Sequence, residues 1–410
     1  MKQLLLALLF LTALPVSAQD RGAVERQFRT WLEQVVWPRA QGGGVSRATF
    51  DAAFAGVTLN WDLPDLVPPG TAPPERRAQT QSEFRSPARY FRPNTVQSTA
   101  RIGRDMAARH ATALAETTRA TGVPGHIILA IWGRESGFGR VAIPHNTFRV
   151  LGTKGFMSTR AEYFTNELLA ALRIVQAGHI APGAMRSSWA GAMGQPQFMP
   201  SSFETYARDG NGDGRADIWT SEADTIRSIG NYLARNGWQA GRDWGFEVSV
   251  PATVSCAIGG RDQGRTISQW EALGITRVSG RPFPAAERNG EAFLLMPAGR
   301  FGPAFLVTPN FYTIKTYNNS DLYALFVGHV GDRIAYNVGD FTAPWRPVDD
   351  LLRSDVAAMQ RGLVAQGYDV GGADGLAGFK TRRAIGQWQV ATGQAPTCFP
   401  SRALVNALSD

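Results

Sequence analysis

The sequence is poor in cysteine, in long apolar stretches and in clustered charge. Its two cysteines, Cys256 and Cys398, and its five scattered histidines make no zinc-binding spacing. After the first residues, no stretch is apolar enough for a transmembrane helix, which needs about 20 such residues. No block of about five or six like charges occurs. The formal charge of +8 is an arginine excess spread along the chain. That pattern argues against a nucleic-acid partner and suits a diffuse anionic polymer. No internal repeat is visible.

The N-terminus has a basic start (Met1-Lys2), an apolar run from Leu4 to Leu14 and a small-residue cleavage site, Val16-Ser17-Ala18. This is the layout of a secretory signal peptide over residues 1–18. It predicts a soluble, exported, periplasmic chain beginning near Gln19. No cysteine follows the run, so a lipid anchor is not expected. In an oxidising compartment an even cysteine count permits a disulfide. Sequence does not show that the two Cα atoms come close, so a bridge and two unpaired buried thiols both stay open.

The length allows about two to three domains at roughly 150 residues each. Pro64, Pro68, Pro69, Gly70, Pro73 and Pro74 mark an irregular segment. Helices are expected over 95–120, from Gly122 to the Gly137-Phe138-Gly139 break, and over 160–177, 221–236 and about 320–335. Residues 189–200 are too rich in Gly and Pro for one element. Short alternating runs such as Phe246-Glu247-Val248-Ser249-Val250 predict a β-rich part over about 245–311. Pro344-Trp345-Arg346-Pro347 is expected to be a linker between a main domain, 19–345, and a small three-helix unit, 349–410. The latter lies near the lower size limit for folding alone. The fold class expected is α+β, mainly α.

One segment carries a chemical signal. In Ile127-Ile128-Leu129-Ala130-Ile131-Trp132-Gly133-Arg134-Glu135-Ser136-Gly137, Glu135 follows Ile131 by four residues and Ile128 by seven. It shares their apolar face near the helix C-terminus. Desolvation and the negative end of the helix dipole both favour the neutral carboxyl. Such an acid can protonate a glycosidic oxygen. A surface pairing of Glu135 with an arginine is the plain alternative.

The run Gly133-Arg134-Glu135-Ser136-Gly137-Phe138-Gly139-Arg140 resembles the catalytic segment of B-type lytic murein transglycosylases. Gly191-Ala192-Met193-Gly194-Gln195-Pro196-Gln197-Phe198-Met199-Pro200-Ser201-Ser202 is a more specific match, and Asn231-Tyr232-Leu233 and Tyr317-Asn318 also fit. The resemblance covers roughly residues 25–340. Met359-Gln360, Gly372-Ala373-Asp374-Gly375 and Phe379-Lys380-Thr381-Arg382 resemble a peptidoglycan-binding domain.

The resemblance implies a lysozyme-like core and non-hydrolytic cleavage of the MurNAc-GlcNAc bond of peptidoglycan strands by one acid, Glu135, without a cofactor. It further implies that Ser188, Gln197, Phe198, Tyr232, Tyr317, Asn318, Tyr323, Arg160 and Tyr90 hold acid or sugar. Glu162, Glu167 and Glu204 could instead supply the second carboxyl of an ordinary glycosidase. A hydrolytic muramidase and a non-catalytic wall-binding protein are therefore the competing readings. Protein partners are not specified.

Asp209-Gly210-Asn211-Gly212-Asp213-Gly214-Arg215-Ala216-Asp217 places oxygen ligands as a calcium loop does, with Gly214 at the sharp turn and Arg215 offering its carbonyl. Related transglycosylases carry an EF-hand-like loop here, which implies a structural Ca2+. The last position is Thr220 instead of an acid, so Asp224 is the substitute ligand expected. Ser221 and Asp224 also have capping-box spacing.

Overall fold

The computed structural model describes residues 20–73 and 87–408. The expected leader, 1–18, and Pro74 lie outside the described residues. Among those residues, no helix is long and apolar enough to cross a membrane.

Two helical layers and a small sheet make the main body. One layer holds α1 (Arg21–Trp31), α2 (Trp37–Gly42) and α3 (Arg47–Phe54). The other begins with α4 (Pro93–Arg109), α5 (Ala111–Thr121) and α6 (Gly125–Ser136). The chain then returns to the first layer through α7 (Thr147–Met157), α8 (Ala161–Gln176) and α9 (Pro200–Tyr206). It re-enters the second with α10 (Glu222–Arg235), followed after the sheet by α12 (Pro309–Tyr317) and α13 (Asp321–Tyr336). Each layer has its own apolar core, and Tyr232 and Tyr317 pack against both. The two cores therefore meet at these two rings.

The expected single helix over 95–120 breaks at His110, whose backbone leaves the helical region (φ −110°, ψ 27°). Its imidazole meets the Trp132 ring edge-on at 5.7 Å. No Gly or Pro marks the break; a tertiary contact accompanies it.

A short ladder joins β1 (His145–Asn146) to β2 (Arg186–Ser187). The main sheet comprises β3 (Gly245–Ser249), β4 (Arg265–Thr266), β5 (Thr276–Arg277), β6 (Glu291–Leu295) and β7 (Ala304–Val307). All its pairings are antiparallel, in the order β4-β6-β7-β3-β5. A short helix, α11 (Ile267–Ala272), follows β4. Phe293, Leu295, Phe305 and Val307 join the second helical core. Phe246, Val248, Leu294 and Leu306 face a separate cluster with Trp270 and Cys398. Burial on both faces gives β6 and β7 continuous apolar runs.

The β-rich part ends at Val307, short of the expected 311. Thr308 caps α12 by accepting the Asn310 N–H at 3.2 Å, and Pro309 occupies the first turn, where its missing N–H costs nothing.

Three helices, α14 (Arg353–Ala365), α15 (Phe379–Ala391) and α16 (Arg402–Leu408), close a terminal module around Met359, Leu363, Ile385 and Trp388. The expected linker is not a free tether. Trp345 stacks on Phe91 at 5.3 Å, Arg346 N–H bonds Phe301 O, and Thr342 and Ala343 donate to the Glu247 carboxylate. A Cys256–Cys398 disulfide joins the sheet to the module, with Cα atoms 6.1 Å apart. A Cβ on Gly386 would lie 2.4 Å from the Cys398 sulfur, so glycine is required at that contact.

Candidate active site

Helix α6 runs through the middle of its layer, with Ile127 to Trp132 all buried. It ends when Gly137 enters the left-handed region (φ 58°), the usual glycine C-cap. Phe138 and Gly139 follow with φ of 62° and 75°. Phe138 folds back edge-on to Trp132 at 5.4 Å. A Cβ on Gly133 would come within 2.6 Å of the Phe138 ring, and one on Gly139 within 2.5 Å of Gln195 Oε1. These glycines let the reversal pack tightly beside Glu135.

Glu135 is half-buried in the last turn of α6. The Tyr323 phenol, from the first turn of α13, donates to its Oε1 at 2.5 Å. Burial raises the carboxyl pKa; the Tyr323 bond and the Arg134 charge pull it down, and burial wins. Arg134 turns away, its guanidinium 4.5 Å from the Tyr90 ring centre and 5.1 Å from that of Phe326. The site therefore has a carboxyl that favours its proton, held by one neutral donor.

Tyr317 stacks parallel to Tyr323 with ring centres 6.5 Å apart, and its phenol donates to Pro196 O at 2.7 Å. Burial and the nearby Glu135 push both phenols well above their ordinary pKa, so they stay protonated donors. Tyr232 does not reach the acid. Its phenol donates to Thr316 O at 2.8 Å and steadies the end of α12. Phe198 is only 2% exposed and packs against both Tyr232 and Tyr317, whose rings also touch each other. It is core, not the exposed apolar face expected for a sugar.

The 191–199 segment is a tight loop in which Met193 and Phe198 exchange backbone hydrogen bonds, and Pro200 opens α9. Gln197 has φ 54° and donates its amide to Gly194 O at 2.9 Å. Ser188 Oγ accepts the N–H groups of Ala190 and Ala192 and so shapes the turn before the loop. Asn318 is exposed beside Tyr317. Arg160 precedes α8 and stacks on Tyr163 at 4.0 Å. The buried Lys154 shares Phe164 with it and lies 4.9 Å from the half-exposed Trp189 ring.

Sequence reasoning overlooked Gln195. Its side chain is buried, accepts from Trp132 Nε1 at 2.9 Å and donates to Trp219 O at 3.2 Å. It ties the acid-bearing helix to the loop. Its place in the motif was visible, but its facing of Trp132, 63 residues away, was not.

The three alternative carboxylates are engaged elsewhere. Glu162 pairs with Arg39, Glu204 with Arg173, and Glu167 accepts from Ser201 N and Oγ. Each of the three thus already has a partner of its own.

In the loop at 209–217, Asp209 accepts the N–H groups of Asn211, Gly212 and Gly214. These bonds hold its carboxyl below the usual range. Asp213 accepts from Arg215 N, and Asp217 from Trp219 and Thr220 N. The donor chemistry suits a hard cation, yet among the described residues no three acidic, His or Cys groups converge as a metal site. Asp224 is not the substitute ligand expected. It is fully buried, with one oxygen on Gly210 and Asn211 N–H and the other on Asp217 N–H. Its carboxylate clamps the loop's two ends. Ser221 Oγ does cap α10 through Asp224 N.

Glu135, half-buried at the end of α6, bonded by Tyr323 and followed by a glycine-rich reversal, thus sits within a mainly helical, lysozyme-like fold. The chain belongs to the transglycosylase SLT domain family, matched over residues 27–332, and residues 353–408 match a peptidoglycan binding domain. It is 36% identical over 217 residues to the membrane-bound lytic murein transglycosylase B of Escherichia coli (strain K12). That match spans 52% of this chain and 58% of the relative's length, somewhat over half of it. The structure resembles SltB3 from Pseudomonas aeruginosa in complex with NAG-anhNAM-pentapeptide: 36% identity, TM-score 0.81, 93% of this chain and 99% of that one. It also resembles the Escherichia coli lytic transglycosylase Slt35 in complex with calcium: 32% identity, TM-score 0.52, 63% of this chain and 80% of that one.

Proposed function

We propose that the chain is a lytic transglycosylase that cleaves the MurNAc-GlcNAc β-1,4 bond of peptidoglycan and leaves 1,6-anhydroMurNAc ends. The observation that carries this reading is Glu135, a half-buried carboxyl of raised pKa held by Tyr323. Glu135 begins protonated. Its proton passes to the glycosidic oxygen as the MurNAc C1–O bond breaks. The resulting carboxylate takes the proton of the MurNAc C6 hydroxyl, whose oxygen closes on C1. GlcNAc leaves with a free 4-hydroxyl, Glu135 is protonated again, and no water is consumed. The commitment of Glu162, Glu167 and Glu204 elsewhere supports one acid over a pair. So do the family and the anhydro-sugar complex of SltB3.

Tyr323 and Tyr317 position the acid, and Gln197, Ser188, Asn318 and Tyr90 border the groove for sugar. Arg160, with Lys154, offers positive charge to muramyl or peptide carboxylates. The reading assigns catalysis to 19–345, wall attachment to 349–410 and location to the periplasm, after export by the 1–18 leader. It also gives the 209–220 loop a weakly held structural Ca2+ on Asp209, Asn211, Asp213, the Arg215 carbonyl and Asp217. Loop spacing and the calcium complex of Slt35 support that assignment.

Mass analysis of products from digested sacculi tests the activity. Muropeptides lighter by one water than their reducing counterparts are expected. Reducing MurNAc ends alone would make the protein a muramidase, and no soluble product would leave only wall binding.

A further inference from the structure

The turn over residues 318–320 joins α12 to α13 and stands between Tyr317 and Tyr323. Its geometry therefore decides where the Tyr323 phenol meets Glu135. Asp321 is the first residue of α13, and its two oxygens are held from opposite sides. Lys315 Nζ, on α12, reaches Oδ1 at 2.8 Å. Arg382 Nη2, on α15 of the terminal module, reaches Oδ2 at 3.0 Å. Arg382 is itself fixed, because its Nη1 donates to Ala377 O at 3.0 Å. Side-chain exposure is 10% for Arg382 and 18% for Asp321, so solvent screens the pair little.

We infer that Arg382 of the terminal module is a positioning residue for catalysis, acting through Asp321 on the turn that aims Tyr323 at Glu135. The inference rests on the transglycosylase reading above. It makes the module part of the catalytic unit as well as a wall anchor. A short phenol–carboxyl hydrogen bond is steep in distance and angle. Misplacement by about 1 Å can cost on the order of 100-fold in rate.

The module has a second ion pair to the main body, Arg383 with Asp262, supplemented by Arg383 to Gly259 O at 3.1 Å. That pair ends on the 259–262 segment and not on Asp321, and supplies an internal control.

The test uses the full chain, disulfide intact, acting on soluble glycan oligosaccharides that do not need wall attachment. Arg382→Met is expected to lower kcat about 10- to 100-fold with KM changed less than about threefold. Arg382→Lys should restore part of the loss, and Arg383→Met should leave kcat unchanged. Asp321→Asn reads the same contact from the other side and serves if Arg382→Met does not fold. The double variant should be no slower than the slower single one.

A pH profile separates positioning from general loosening. Glu135 is faced by Arg134 on its own helix, Tyr317 from α12 and Tyr323 from α13, with Tyr90 beside Tyr323. Losing the Tyr323 bond removes a group that lowers the Glu135 pKa, so the alkaline limb of kcat/KM should move to higher pH in Arg382→Met. Unchanged kcat in folded Arg382→Met and Asp321→Asn, or an equal loss in Arg383→Met, overturns the inference alone. Absence of anhydro product from the unaltered chain removes the functional reading, and this inference with it.

Discussion

Tyr323 donates its phenol proton to Glu135 Oε1 at 2.5 Å, joining the first turn of α13 to the last turn of α6 across 188 residues of chain. The bond favours the carboxylate, whereas burial favours the acid. Tyr323→Phe should therefore raise the Glu135 pKa further. In the proposed mechanism the acid starts the reaction protonated, so the alkaline limb of the pH–rate profile should shift upward. Loss of a hydrogen bond to a charged group should reduce kcat by about 10- to 100-fold. A profile that does not move would separate Tyr323 from the titration of the acid.

Glu135→Gln should end lysis, since an amide cannot give and take the proton, while wall pelleting persists. It should also stabilise the fold at neutral pH. The native pKa lies above the ordinary value of 4.5, so above that native pKa the folded state carries a charge that burial disfavours. The gap in melting temperature between the variant and the unaltered chain should start to close as pH falls through the native pKa and vanish below about 4.5. Thermal melts from pH 8 to pH 4 check the sign. A variant that is less stable at pH 8 contradicts the desolvation argument.

Gln195→Ala should leave the buried Trp132 indole N–H without its acceptor, costing about 1–3 kcal/mol of stability. Because Gln195 bridges α6 and the loop, activity should fall by more than the unfolded fraction explains. Activity scaled to folded protein tests this, and unchanged specific activity would make Gln195 a packing residue only.

What the sequence disclosed follows the range of each signal. Helix α6 was legible because Ile128, Ile131 and Glu135 repeat at helical spacing and Gly137 stops the run. The turn-rich 189–200 segment announced itself by composition. Helix α12 was hidden, because Pro309 before an aromatic run reads as readily as a loop between strands. The strands around Phe293 and Phe305 are buried on both faces, which removes the alternation that marks an ordinary edge. The pairings that build the site, Tyr323 with Glu135 and Gln195 with Trp132, are long-range and leave no local trace. Phe198 shows the reverse error: the resemblance offered it to the sugar, and close packing took it into the core.

Calcium should raise the melting temperature while leaving the folded enzyme's rate unchanged. A ligand present at about 100 times its Kd adds roughly 2.7 kcal/mol to a state that alone binds it. Asp213→Ala should abolish the response, because it removes a side-chain oxygen without touching the clamp that Asp224 makes. Calorimetry with calcium and with chelator checks the shift. Equal melting temperatures would leave the loop a hydrogen-bonded turn.

The disulfide predicts a separable failure. Cys256 and Cys398 are 142 residues apart in sequence, and closing a loop of that size removes on the order of 5 kcal/mol of unfolded-state entropy in the chain-entropy model. Cys398→Ser with Cys256→Ser should lower the melting temperature, yet Arg382–Asp321 and Arg383–Asp262 still dock the module. Wall pelleting and kcat on soluble glycan should therefore survive at temperatures where the variant is folded. Truncation after Trp345 is a harsher change. It removes the disulfide and Arg382 together and uncovers Ala257, which packs against Gly386 of α15. The truncated chain should pellet less with sacculi and also turn over soluble glycan more slowly than the double-serine variant. If truncated and full-length chains pellet equally, the terminal module is not the wall anchor. If they turn over soluble glycan equally, its contact with Asp321 does not reach the acid.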